Sequence, residues 1–351
     1  MSKRAEEQRA KVFGVFSRNL EFVKRNLHQF EAEIRIEPDV PNSYVCPLCF
    51  GLFEKKALFQ TDPNPLTVEH VPPQKLGGTP LVLTCKNCNS TAGHLLDAPL
   101  LSIMEVEDFK NFLPNSMARV TFSKDGREMN GTISIDDSAK WVIELSSKIS
   151  NPKHAEYFLN KMKRPRYEVM SYEDLMNYKP GSDSVKLNFR MTVEKEHLLR
   201  RAEVALLRIA YLLAFGTFGH GFLIHPGLYA IREQFKKPEE EILRKVFWLR
   251  YDFPDNYLGI NIIRAPKQML GFLVVFKLKT KSQSRNFGIV LPGPSEPGLK
   301  VYDFLNDRLC QGDGTNFCRI EVQSIPRINF LTEEKHALIL HDFWERYALL
   351  E

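Results

Sequence analysis

The sequence predicts an α+β fold. Three observations carry this expectation. An apolar seam at helical spacing opens the chain. β-rich runs joined by Asp-Gly and Asp-Asp turns fill its middle. A long apolar helix then precedes two further β-rich runs. Composition shifts divide the 351 residues into a helical N-terminal arm at 1–40, a small module at 41–105, a β-meander with a connecting segment at 106–194, and an α+β C-terminal domain at 195–351.

The seam lies in residues 5–35. Phe16, Leu20, Val23, Leu27, Phe30 and Ile34 recur at alternating spacings of four and three, which places them on one helix face. The other faces carry Arg18, Lys24, Arg25 and Glu31. Such a seam either packs on the chain's own core or forms a coiled-coil homodimer through the N-terminal helix. Pro38 and Pro41 end the helical stretch.

Residues 118–145 read as a small antiparallel meander. Val120 and Phe122 precede Lys124-Asp125-Gly126, Thr132, Ile133 and Ile135 precede Asp136-Asp137, and Trp141, Ile143 and Leu145 follow. Residues 153–178 are expected to be helical in part. They hold the basic run Lys161, Lys163, Arg164 and Arg166, which is either a phosphate contact or a solvated face.

Residues 195–216 read as the main core helix, apolar over most of its circumference and ended by Gly216, Gly219 and Gly221. Its apolar run at 202–218 includes Glu203 and Arg208, so it reads as a buried helix rather than a membrane span. Helices at 226–236 and 239–248, strands at 272–278 and 287–291, and a closing helix at 332–350 complete the expectation.

Charge sets bounds on partners. The chain has 48 basic and 43 acidic residues, a net charge of +5. That balance permits contact with a polyanion but does not require it, so any such surface must be local. The opening Met-Ser-Lys-Arg-Ala-Glu-Glu has no apolar core, so no secretory signal is expected and a cytoplasmic setting is inferred. Six cysteines are too few for a disulfide framework in a chain of this length.

Four of those cysteines form two CxxC turns. Cys46-Pro47-Leu48-Cys49 and Cys85-Lys86-Asn87-Cys88 are separated by 35 residues. Each turn presents two thiolates, and two turns close a tetrahedron around Zn2+. A closed site of this kind is structural, leaves no position for water, and contributes on the order of 10 kcal/mol to folding.

The gap between the knuckles must hold structure of its own. Leu66-Thr67-Val68-Glu69-His70-Val71 reads as a strand, and Pro72-Pro73 forbids its continuation. A loop with Gly77-Gly78 follows. Leu81-Val82-Leu83-Thr84 is a second strand that delivers Cys85. Asn89-Ser90 then opens a helix toward Leu96.

In this order the residues resemble the HNH endonuclease superfamily, which has the ββα-metal fold. The resembling branch carries a zinc ribbon and the pattern CxxC, EHxxP, GG, CxxCN, G and D. Those positions are Cys46, Cys49, Glu69, His70, Pro73, Gly77, Gly78, Cys85, Cys88, Asn89, Gly93 and Asp97. The resemblance covers 46–97 and says little of residues 120–351.

The resemblance implies a metal-dependent endonuclease acting on nucleic-acid phosphodiesters, DNA more than RNA, in restriction or defence against mobile DNA. His70 would be the general base, since a neutral imidazole can take a proton from water near neutral pH. Glu69 and Asn89 would hold a catalytic Mg2+ or Mn2+, separate from the zinc. Such a hard ion on oxygen ligands can stabilise the phosphate and the leaving oxygen. His94 would be an accessory phosphate or metal contact. Asp97 would order the helix end or meet a basic neighbour. The superfamily's middle Asn would fall at Pro80 or Leu81, so orientation of His70 is left to a backbone carbonyl. The same fold without the chemistry would be a zinc-ribbon module that binds nucleic acid or protein. A third reading makes the C-terminal region itself the functional domain, such as a partner- or ligand-sensing unit that controls the nuclease.

Lesser signals remain. Lys277, Lys279 and Lys281 alternate, with Arg285 beyond them. They would track a phosphate backbone or protect a sheet edge. His220, His225, His336 and His341 form no metal motif. Cys310 and Cys318 are expected to be free thiols. Gly312-Asp313-Gly314 is a turn without the context of a phosphate loop.

Overall fold

The opening seam forms helix α1, Lys3–Arg25, in a computed structural model that describes residues 3–27, 37–146, 151–162, 166–169, 188–191, 196–244, 253–293, 300–309, 319–325 and 329–333. Phe13, Phe16, Leu20 and Val23 are buried. The Phe16 ring stacks on Phe215 with centroids 4.9 Å apart and meets the Tyr44 ring edge-on at 5.9 Å. Burying each such side chain contributes about 1.5–3 kcal/mol. The described part of the seam, Phe13 to Val23, packs on the chain's own core. The helix also stops earlier than its periodicity suggests. Asn26 Nδ2 turns back to the Phe22 carbonyl at 2.9 Å, and Phe30 and Ile34 lie outside the described residues.

After α1 come the short paired strands β1, Tyr44–Val45, and β2, Leu52–Phe53. Next is the antiparallel pair β3, Leu66–Val71, and β4, Thr79–Cys85. Helix α2, Lys86–Ala92, a π-helical turn at Gly93–Asp97 and helix α3, Ala98–Lys110, follow. The strand–loop–strand–helix order matches the sequence expectation. One boundary differs: α2 starts at Lys86, capped by Cys85. Asn89 is therefore inside the helix rather than at its opening.

The meander region forms β5, Met117–Lys124, β6, Arg127–Ile135, and β7, Trp141–Leu145, followed by helix α4, Pro152–Met162. Strands β8, Arg166–Val169, and β9, Asn188–Met191, complete an antiparallel sheet in the order β8-β7-β6-β5-β9. Helix α4 supplies the helical part expected within 153–178, and β8 follows it. The Asp125-Gly126 turn has φ of 50° and 72°, as a tight hairpin turn requires. Phe122, Met129, Ile133, Leu145 and Phe158 form the core of this region.

The next helix, Glu196–Phe218, places Leu207, Ala210, Tyr211 and Phe215 fully inside. Gly216 does not end it. The stop is Gly219, at φ 73°, where an added Cβ would lie 2.3 Å from Asn19 Oδ1. Helices His220–Leu223 and Leu228–Lys236 follow. Residues 239–244 make turns and bends instead of the expected helix.

Strands β10, Gly259–Ala265, β11, Gly271–Lys279, β12, Ser284–Pro292, and β13, Glu321–Ser324, form a sheet in the order β12-β11-β10-β13. A helix at Val301–Leu309, not anticipated from sequence, lies between the last two. Among the described residues, no helix is long and apolar enough to cross a membrane. The expected helix at 332–350 lies outside the described residues apart from its first two positions, which form a turn. So do Cys310, Cys318, His336, His341, the turn at 312–314, and Lys163 and Arg164.

The chain divides into two units. One comprises residues 1–100, 200–278 and 285–351. The other comprises 101–199 and 279–284. The arm, most of the cysteine-bearing module and most of the C-terminal region lie in the first of these units.

Candidate metal centre and the adjoining Glu-His strand

The first knuckle is shaped by its own backbone. Cys46 N–H donates to the Gly51 carbonyl at 2.9 Å, and Phe50 N–H donates to the Cys46 carbonyl at 3.0 Å. Gly51 N–H points at Cys49 Sγ, 3.4 Å away. Tyr211 donates its hydroxyl to the Pro47 carbonyl at 2.7 Å, fixing the turn to the Glu196–Phe218 helix. Pairing of Leu66 with Cys85 brings the second knuckle into place at the end of β4.

The four sulfurs of Cys46, Cys49, Cys85 and Cys88 all lie within 4.8 Å of one another, and none is in a disulfide. Cys49 and Cys85 Sγ are 3.8 Å apart. A zinc tetrahedron with Zn–S bonds of about 2.3 Å has an S···S edge of about 3.8 Å. Spacing, geometry and soft donors all suit zinc. Among the described residues, no other group of three or more His, Cys, Asp or Glu ligands converges in this way.

Glu69 sits next to His70 on β3, and the two side chains meet different surroundings. Glu69 is 3% exposed. Its Oε1 lies 2.9 Å from Arg208 Nη2, and its Oε2 accepts the Thr84 hydroxyl at 2.8 Å. Arg208, from the Glu196–Phe218 helix, is also buried and reaches Asp97 Oδ1 at 3.4 Å. Burial pushes the Asp97 carboxyl up to about 6, against the lowering pull of Arg208. Asp97 thus meets a basic neighbour, as its position suggested.

His70 is half-buried, and among the described residues its ring makes no hydrogen bond. It pairs with Pro80 across a register shift in which β4 gains Leu81 as an extra residue. Such a bulge sharpens the local twist and re-aims side chains.

The adjoining loop explains the Gly-Gly pair. Gly77 has φ 86°, and a Cβ on Gly78 would fall 1.4 Å from the Pro72 carbonyl oxygen.

Asn89 Nδ2 donates to Thr67 Oγ1 at 2.8 Å, and that hydroxyl donates to the Thr84 carbonyl at 3.1 Å. A polar chain therefore runs from Asn89 through Thr67 and Thr84 to Glu69. The Asn89 amide oxygen has no partner in it. Glu69 and Asn89 together do not fit a resident Mg2+ or Mn2+ in this arrangement. Both carboxylate oxygens are engaged, and the charge of Arg208 sits against them. His94 is exposed on the π-helical turn.

Arg208, Thr67 and Thr84 were not foreseen as members of this site. The pairing of Thr67 with Thr84 follows once β3 and β4 are aligned. Arg208 carries no local signal. Lys277 pairs with Asp255 at 3.1 Å. Lys279 is exposed at the end of β11, and Lys281 lies beyond the strand. Arg285 is buried. His220 is structural: its Nε2 accepts Val45 N–H at 3.3 Å, and burial lowers its pKa to about 3.

Fold and site together define an α+β chain with a four-thiol cluster that could hold a metal ion on a strand–strand–helix unit. Against protein-family models, curated proteins and solved structures, the chain has no match.

Proposed function

We propose that the chain is an HNH-type endonuclease that hydrolyses nucleic-acid phosphodiester bonds, DNA in preference to RNA. One observation carries this reading. An unengaged, half-buried imidazole stands on the first strand of a strand–strand–helix unit pinned by four thiols. Neutral His70 takes a proton from water as the water oxygen bonds to phosphorus and the bond to the leaving oxygen breaks. The open amide oxygen of Asn89 is an acceptor suited to orienting that water. Glu69 cannot ligate Mg2+ or Mn2+ while paired with Arg208, so no step is assigned to such an ion.

A second reading is a non-catalytic zinc-ribbon module that binds nucleic acid or protein. The burial of Glu69 against Arg208 favours it, because that acid then has a structural task. Plasmid cleavage in Mg2+ or Mn2+ separates the two readings, comparing the parent with His70→Ala at matched zinc content and circular dichroism. Nuclease function predicts cleavage by the parent and a loss of about 10²–10⁴-fold in the variant. Equal cleavage by both removes His70 from the chemistry. Inactivity of both supports the binding module.

A further inference from the structure

The four knuckle sulfurs are unequally shielded. Cys46 and Cys85 are 0% and 1% exposed, Cys88 is half-buried and Cys49 is exposed. A cavity of about 210 Å3 beside the knuckles is lined by Cys49 and Cys88, and not by Cys46 or Cys85. We propose that Cys49 is a peroxide-sensitive modification site that closes a disulfide with Cys85 and releases the metal. This rests on the zinc reading of the cluster and is independent of the nuclease reading.

Oxidation of a cysteine follows its thiolate character and its access to solvent. Zinc ligation holds all four sulfurs as thiolates, so access decides which is attacked. The Gly51 N–H, 3.4 Å from Cys49 Sγ, is a further donor that favours the thiolate there. Cys85 Sγ stands 3.8 Å from Cys49 Sγ on the other knuckle. Buried as it is, Cys85 is out of reach of peroxide in solvent but next to any product formed on Cys49.

The chemistry takes two steps. Cys49 Sγ attacks a peroxide oxygen, the O–O bond breaks, and a sulfenic acid and hydroxide result. Cys85 Sγ then attacks Cys49 Sγ, the S–S bond forms, and the second hydroxide leaves. Two thiolates and one hydrogen peroxide thus give a disulfide and two hydroxides, with sulfur oxidised and peroxide reduced. Cys46 and Cys88 remain, and two thiolates do not make the closed tetrahedral set that zinc requires. The new bond joins the two knuckles, so a covalent tether takes the place of the metal.

The zinc-loaded full chain is treated with hydrogen peroxide, quenched with N-ethylmaleimide and mapped by peptide mass spectrometry, while a chelating dye follows free zinc. A Cys49–Cys85 disulfide is expected to appear in step with zinc release, and dithiothreitol with added zinc is expected to reverse both. In a second arm without peroxide, limiting N-ethylmaleimide should label Cys49 about tenfold faster than Cys46 or Cys85. Another disulfide as the main product, faster labelling of Cys46 or Cys85, or zinc retained under peroxide that oxidises the metal-free chain would overturn the proposal. A chain that never takes up zinc would instead refute the metal reading beneath it.

Discussion

Glu69→Gln is the sharpest test of the buried ion pair, because it removes the charge and keeps the shape. The amide can still accept the Thr84 hydroxyl, so the loss falls on Arg208. Breaking one side of a buried pair costs about 3–5 kcal/mol, since the remaining ion is left uncompensated. Asp97 offsets part of that from 3.4 Å, with a side chain 19% exposed. The expected destabilisation is therefore near the lower end, about 3 kcal/mol. Urea unfolding of the zinc-loaded protein near neutral pH measures it. A cycle with Arg208→Met isolates the pairing, and coupling of about 2 kcal/mol or more is expected between directly contacting residues. A loss below about 1 kcal/mol, or additive effects in the cycle, would refute the reasoning. Were Glu69 solely an ion ligand, the substitution would lower divalent-ion affinity and leave stability unchanged.

Removing the metal should be more severe: chelation or Cys46→Ser is expected to remove on the order of 10 kcal/mol and unfold the knuckles, read by circular dichroism and bound zinc. Gly78→Ala should cost more than about 2 kcal/mol in thermal unfolding, because its Cβ meets the Pro72 carbonyl. Gly93→Ala meets nothing within 4 Å, has helical φ and ψ, and should stabilise by about 0.5–1 kcal/mol. His220 has a folded pKa of about 3 against an ordinary value of 6.5. Its stabilisation is thus present above pH 6.5 and is lost as pH falls toward 3, with an initial slope of up to about 1.4 kcal/mol per pH unit. His220→Gln should flatten that slope in denaturation measured across the acidic range.

Local patterns made part of this structure legible. The two CxxC turns, the strand before Pro72-Pro73 and the Asp125-Gly126 hairpin each depend on neighbours in sequence, and each forms where expected. The surroundings of Glu69 were not legible for the opposite reason. Its partner Arg208 arrives from a distant helix, and no local pattern records that pairing. Gly216 and Gly219 look alike as helix stops. Only the left-handed φ and the closeness of Asn19 single out Gly219. The α1 seam was readable as apolar, but whether it covered a second copy or its own core depended on Tyr44 and Phe215.

The base assigned to His70 is tested most directly by chemical rescue. His70→Gly removes the ring and leaves space for a free one, and plasmid cleavage is followed as imidazole is added. Saturable recovery with imidazole, absent with a non-basic analogue of similar size, is the expected result. A parent enzyme that cleaves alongside a variant of equal activity, or one that imidazole never revives despite intact folding and zinc, would contradict the assignment.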